Sequence, residues 1–188
     1  MTTGSGMHRL LSDVLALQNE DGRGAELTEE RVKHVLLGRD AFTTDEERIL
    51  TSSPLARLTY AEIVEDLRLE EEAFQQRCER AGIKTETGAL MAASGGQYPM
   101  VLPSDDFSVT LRPHPMSAGW VISLTLRDQF RRIMHSNEGL ALVDDQGVTW
   151  LRGQVNSYGE VHSYDWPYDE TPTKCVQREG FKLRVRPG

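Results

Sequence analysis

The chain is poor in cysteine, and the two it has stand far apart. Of 188 residues only Cys78 and Cys175 carry thiols, and no Cys-x-x-Cys pair occurs. That excludes a zinc ribbon and a thioredoxin-type dithiol. Two isolated thiols suit a reducing compartment, so a cytoplasmic protein is expected. No run approaches the roughly 18 apolar residues of a membrane span, so no membrane partner is expected. Met1 to Met7 lacks the basic and apolar regions of a secretory leader. The five histidines (His8, His34, His114, His135, His162) show no His-x-x-x-His or His-Glu-x-x-His spacing. A metal site would need ligands gathered from distant segments. Ser94-Gly95-Gly96 lacks the Gly-Lys-Ser/Thr of a phosphate-binding loop. Cys175 and His162 form a Cys–His pair on paper, but no local motif of a cysteine enzyme surrounds Cys175. The reading is of a protein without catalytic residues, metal or cofactor.

Two further scarcities divide the chain. Before residue 93 there is one proline, Pro54, and no tryptophan. After it come seven prolines and all three tryptophans, Trp120, Trp150 and Trp166. Around Ala93-Ser94-Gly95-Gly96 the pattern changes from helical to strand-like. This predicts an α+β chain: an acidic helical domain over 1–92, a linker over 93–98 and a β-rich domain over 99–188. The charge follows the same division. Met1–Met91 carries 11 Lys+Arg against 18 Asp+Glu, and Ala92–Gly188 carries 10 against 11. The net charge of -8 therefore resides mostly in the helical part. An acidic surface repels nucleic-acid phosphates and favours basic partners; the plainer reading is solubility.

In the front part, Leu10, Leu11, Val14 and Leu17 predict a helix over 7–18, followed by a glycine-containing loop. Thr28 is placed to cap a second helix, with Glu29 and Glu30 in its first turn and Gly38 at its end. Thr44 with Glu47 fits a capping box for a short helix carrying Ile49 and Leu50. Pro54 suits a first helical position. Thr59 with Glu62 fits a second capping box. It opens the strongest helical pattern, with Ile63, Leu67, Phe74 and Cys78 near one face. Leu69 breaks that pattern unless the chain turns near Arg68.

The stretch Leu58-Thr59-Tyr60-Ala61-Glu62-Ile63-Val64-Glu65-Asp66-Leu67-Arg68-Leu69 is similar to the first helix and turn of region 4 in bacterial sigma factors. The resemblance implies a helix-turn-helix-like scaffold in a small helical bundle, with 70–81 at the recognition helix and Arg77 and Arg80 at its basic positions. Arg68 stands where the turn glycine belongs. Glu70-Glu71-Glu72 stand where a DNA reader presents neutral or basic side chains. A scaffold that no longer reads DNA follows; a plain helical bundle is the structural alternative.

Behind the seam, short alternating runs near 100–103, 107–111 and 120–126 predict strands, with a helical pause over 127–135 carrying Phe130 and Ile133. Leu140–Val143, the turn signal Asp144-Asp145-Gln146-Gly147 and the run from Val148 predict a hairpin. Strands over 160–166 and 181–185 complete an antiparallel β-sandwich or barrel-like module. The stretch from Val143 to Val161 resembles the hairpin of a prealbumin-like or carboxypeptidase-regulatory-like module. Such modules occur beside sigma-factor regulators, so the resemblance implies bacterial transcription control. Trp120 and Trp150 are read as core. Trp166-Pro167-Tyr168, with Tyr158 and Tyr164, is read as a stacking surface for a peptide or sugar, or as edge packing.

Together these readings favour a regulatory adaptor, anti-sigma-like, that binds a protein partner with a basic surface. The expected contact residues are Glu65, Glu71, Glu72, Gln75, Gln76, Trp166 and Tyr168. The alternative is a DNA-binding regulator using a helix-turn-helix over 59–81. A third possibility is an enzyme with a pocket between the two modules.

Overall fold

The computed structural model describes residues 27–87, 98–135 and 138–188. The expected helix over 7–18, its following loop and most of the expected linker over 93–98 lie outside these residues. The described chain is α+β. Three helices come first: α1 (Glu29–Leu36), α2 (Thr44–Ser52) and α3 (Pro54–Arg80). Eight strands follow in two antiparallel four-stranded sheets, with two short helices among them. No described helix is long and apolar enough to cross a membrane.

Local signals start and stop the front helices. Thr28 Oγ1 accepts the Arg31 amide at 3.1 Å, which caps α1. Gly38, at φ 69, ends it in the left-handed region that glycine tolerates. The capping box of α2 sits one residue earlier than expected. Thr43, not Thr44, accepts the Glu46 amide, and Glu46 accepts the Thr43 amide at 2.7 Å. Arg31 selects this register, since its guanidinium grips Glu46 at 2.6 and 3.0 Å and Asp40 at 2.5 Å. Glu47 has no such partner to draw it in.

Helix α3 corrects the expected turn. Pro54 stands at its first position, and the Ser53 hydroxyl accepts the Ala56 amide at 3.3 Å. From there the helix runs unbroken for 27 residues, about 40 Å. Nothing between Leu55 and Arg80 is glycine or proline, so no residue forces a break. Thr59 therefore lies inside a helix and caps nothing; its buried hydroxyl has no hydrogen-bond partner. Arg68, the expected turn residue, continues the helix and donates to Glu65 at 2.6 and 2.8 Å. The helix-turn-helix expected over 59–81 is not formed.

The chain divides into two compact units, Met1–Leu69 and Glu70–Gly188. The boundary falls within α3, whereas the sequence reading places it at 93–98. In the first unit Leu27, Val32, Ala56 and Ile63 are buried, with Leu36, Phe42, Ile49, Leu50, Tyr60 and Leu67 packed around them. In the second, Phe74, Cys78 and Ile83 join a core drawn from both sheets. Phe74 lies 6.2 Å from the ring of Phe130. The last turns of α3 thus belong to the β unit because their apolar partners are strand residues.

One sheet has the order β1 (Glu86–Thr87), β8 (Leu183–Pro187), β5 (Gly139–Asp144) and β6 (Thr149–Gln154). The other has β2 (Met100–Pro103), β3 (Phe107–Pro113), β4 (Trp120–Leu126) and β7 (Glu160–Ser163). The expected hairpin is β5–β6, with a register shift between Leu142 and Val143. The helical pause is α4 (Asp128–Ile133), with Phe130 fully buried. A further short helix, α5 (Pro172–Val176), has Pro172 in its first turn. Alternation along the strands sends Leu140, Leu142, Leu183 and Val185 inward. Arg184 and Arg186 occupy the other face.

Candidate functional site

The seven residues expected to contact a partner fall into two groups. Five lie on α3. Glu65 is exposed, and its carboxyl is held below the usual range by hydrogen bonds from Arg68. Glu71 is half-buried and pairs with Arg186 of β8, so it serves the fold. Gln75, one turn on, accepts the Thr85 hydroxyl at 3.2 Å. Glu72 and Gln76 are exposed. The spacing explains the division: residues 71, 74, 75 and 78 share the helix face that meets the β unit.

Trp166 and Tyr168 belong to a second group, centred on a residue the sequence reading treated as a turn former. Asp144 ends β5 and is 8% exposed. Its Oδ1 accepts the amides of Gln146 at 3.0 Å and Val148 at 2.9 Å, which closes the hairpin turn. Its Oδ2 accepts Trp150 Nε1 at 3.0 Å and the Tyr168 hydroxyl. Trp150 is buried and packs edge-on against Trp166, with 4.9 Å between centroids. Trp166 Nε1 donates to the Glu170 carbonyl at 2.7 Å. Arg178 lies over the Tyr168 ring at 4.9 Å and pairs with Glu170. Cys175 donates to the same Glu170 carboxylate at 3.5 Å.

This cluster is chemically quiet. Burial, then the hydrogen bond to Asp144, pushes the Tyr168 phenol up to about 12. Burial, then the Glu170 carboxylate, pushes the Cys175 thiol up to about 11. Burial raises Cys78 to about 11 as well. Both shifts favour the protonated thiol, the poorer nucleophile. Trp166 and Tyr168 are half-buried, with their polar atoms engaged inside the fold. Trp120 is half-buried against Tyr98 at 4.6 Å. Tyr158 and Tyr164 are exposed, at 77% and 63%. The aromatics expected to form one stacking surface are therefore not all presented to solvent.

Cys175 and His162 are not partners. The His162 ring instead bonds Ser123 Oγ at 2.9 Å and Glu160 at 3.3 Å. A serine, a histidine and a carboxylate in line are the parts of an acyl-transfer triad. Here they are cross-strand neighbours on the outer face of β4 and β7, paired Ser123 to His162. Two of the hollows that described residues line lie in the β unit. One, of about 560 Å³, is lined by Asp128, Arg131, Arg132, His135 and Asn156 among others. The other, of about 350 Å³, is lined by Asp145, Lys182, Arg184 and Arg186 among others. In the second, Arg184 is taken by Glu86 and Arg186 by Glu71. Among the described residues no three His, Cys, Asp or Glu side chains gather as metal ligands.

The sequence reading missed Asp144 as an organiser, and the pairing of Glu170 with Arg178. An Asp six residues before a Trp, across a turn, was the available signal for the first. No family model, curated protein or solved structure matches the chain.

Proposed function

We propose that the protein is a non-enzymatic adaptor that binds a protein partner through a basic surface of that partner. The observation that supports it most is on the first unit's part of α3. Glu62 and Asp66 are exposed carboxylates next to Glu65, with no cation paired to them among the described residues. A surface of this sign recruits basic proteins and repels phosphate backbones. The likeness of 58–69 to sigma region 4 directs the proposal to a transcription component, with an anti-sigma-like role in the cytoplasm.

The test is capture of a partner by the full chain from its native host, repeated with Glu62→Lys and Asp66→Lys together. Both side chains are exposed, so folding should survive. Loss of one defined partner is expected, and retention of every partner would overturn the reading. Glu71→Lys is a poorer probe, because it also breaks the pair with Arg186. Salt-dependent attachment of the full chain to duplex DNA would overturn the reading too. Arg77 and Arg80 are the basic residues on the last turn of α3. Arg77 is already committed to Glu138.

A further inference from the structure

Leu69 was the residue that broke the helical pattern, and the unbroken α3 leaves it in solvent. It is 48% exposed, and Leu58 is 62% exposed. Eleven residues separate them. At 100° per residue they fall within about 20° of each other, about 16 Å apart along the axis. Ala56, Ile63 and Leu67, which pack in the first unit's core, lie on the opposite side of the same helix. The two leucines are thus turned away from the core. Between them on their own face stand Glu62 and Glu65, with Asp66 beside. Of the basic residues beside the leucines, Arg68 is bound to Glu65 and Arg57 donates to the Thr51 carbonyl.

We infer that Leu58 and Leu69, with Glu62 and Asp66, form a docking face for a basic amphipathic helix of the partner protein. This rests on the adaptor reading and specifies its partner. Two apolar anchors three turns apart match the spacing of an apolar stripe on a second helix. The carboxylates between them call for Lys or Arg between and beside the apolar residues of that helix. A second copy of this chain is the wrong occupant. Laid on itself, the face would set Glu62 and Asp66 against other carboxylates, which is repulsive.

The probe is a 21-residue synthetic peptide of Leu, Lys and Ala with its leucines on one helical face. Its control replaces every Lys with Glu. Titration of the full chain should show saturable binding of the Lys peptide and none of the Glu peptide. Leu58→Ala with Leu69→Ala should weaken binding at least tenfold while circular dichroism stays unchanged. Glu62→Lys with Asp66→Lys should weaken it at least tenfold too. Absence of binding to the wild-type chain overturns the inference. So does full affinity in the double-alanine variant, which would mark the attraction as charge alone. A dimer that sedimentation detects and the double-alanine variant dissolves overturns it as well. If a partner captured from the host stays bound to the double-alanine variant, this inference falls and the adaptor reading stands. If capture finds no partner while the peptide behaves as expected, the adaptor reading alone falls.

Discussion

Ile63 and Phe74 lie three turns apart on one helix, yet they serve different cores. Among the described residues, Ile63 is buried with Leu27, Val32 and Ala56, and the residues around them remain partly exposed. Phe74 is buried, among the described residues, in a cluster of twenty-two drawn from both sheets and from the helices and loops around them. The described part of the first unit adds helix caps and the Arg31–Glu46–Asp40 network to its packing. The second relies on dense packing and on Asp144. A continuous backbone helix does not make a continuous core. What decides membership is where each turn finds its apolar partners.

The sharpest way to break this comparison is to empty both cores. Phe74→Ala should cost about 3–5 kcal/mol, because rigid strands around it cannot collapse into the space. Ile63→Ala should cost less, about 2 kcal/mol, because its half-exposed neighbours can move inward. Denaturant unfolding of each variant reads the difference. Equal costs would show that the two cores are mechanically alike. Next in size is Asp144→Ala, which strands the Trp150 indole and two turn amides. A loss of about 1–3 kcal/mol is expected, with a change in tryptophan fluorescence. Asp144→Asn should recover part of it, since one carbonyl oxygen remains.

Two shifted groups, one in each unit, act at opposite ends of the pH scale. Hydrogen bonds from Arg31, then from the Thr43 amide, hold the Glu46 carboxyl at about 2, against 4.5 unperturbed. Its folded value lies below its unfolded one. Its contribution is thus present above about pH 4.5 and is lost as pH falls from there toward 2. Glu46→Gln should flatten that acid limb. Tyr168 has the reverse sign, raised from 10 to about 12. Its contribution is intact below pH 10 and is lost as pH rises from there toward 12. Tyr168→Phe should flatten the alkaline limb. Thr43→Ala, which removes half of the capping box, should cost about 1 kcal/mol. Unfolding midpoints taken across pH test all three variants.

What could be read in the sequence was local. Thr28, Gly38 and Pro54 mark helix ends through their own backbone chemistry. Asp144 to Gly147 mark a hairpin for the same reason. The capping box of α2 was ambiguous by one residue, since Thr43 with Glu46 and Thr44 with Glu47 fit alike. Only Arg31, fifteen residues from Glu46, decides between them. The turn at Arg68 was inferred from one misplaced leucine, without a glycine or proline to make it. Pairings such as Glu71 with Arg186, or β1 with β8, join residues about a hundred positions apart. No local periodicity encodes them. The same holds for the site: Trp166 and Tyr168 were singled out by type, but Asp144, which bonds Tyr168 and the Trp150 that Trp166 packs against, is revealed only by the fold.

The smallest expected effect bears most on function. Leu58→Ala with Leu69→Ala should change stability by no more than about 0.5 kcal/mol. Both leucines face away from the first unit's core, and alanine is the better helix former. If they were misassigned core residues, their loss would cost about 2–5 kcal/mol each, comparable to Ile63→Ala. A thermal melt separates these outcomes. An unchanged midpoint leaves two large apolar side chains that do nothing for folding and expose their surface to water. Such residues gain from burial only when another molecule covers them. A lowered midpoint would move them into the core and remove the docking face with them.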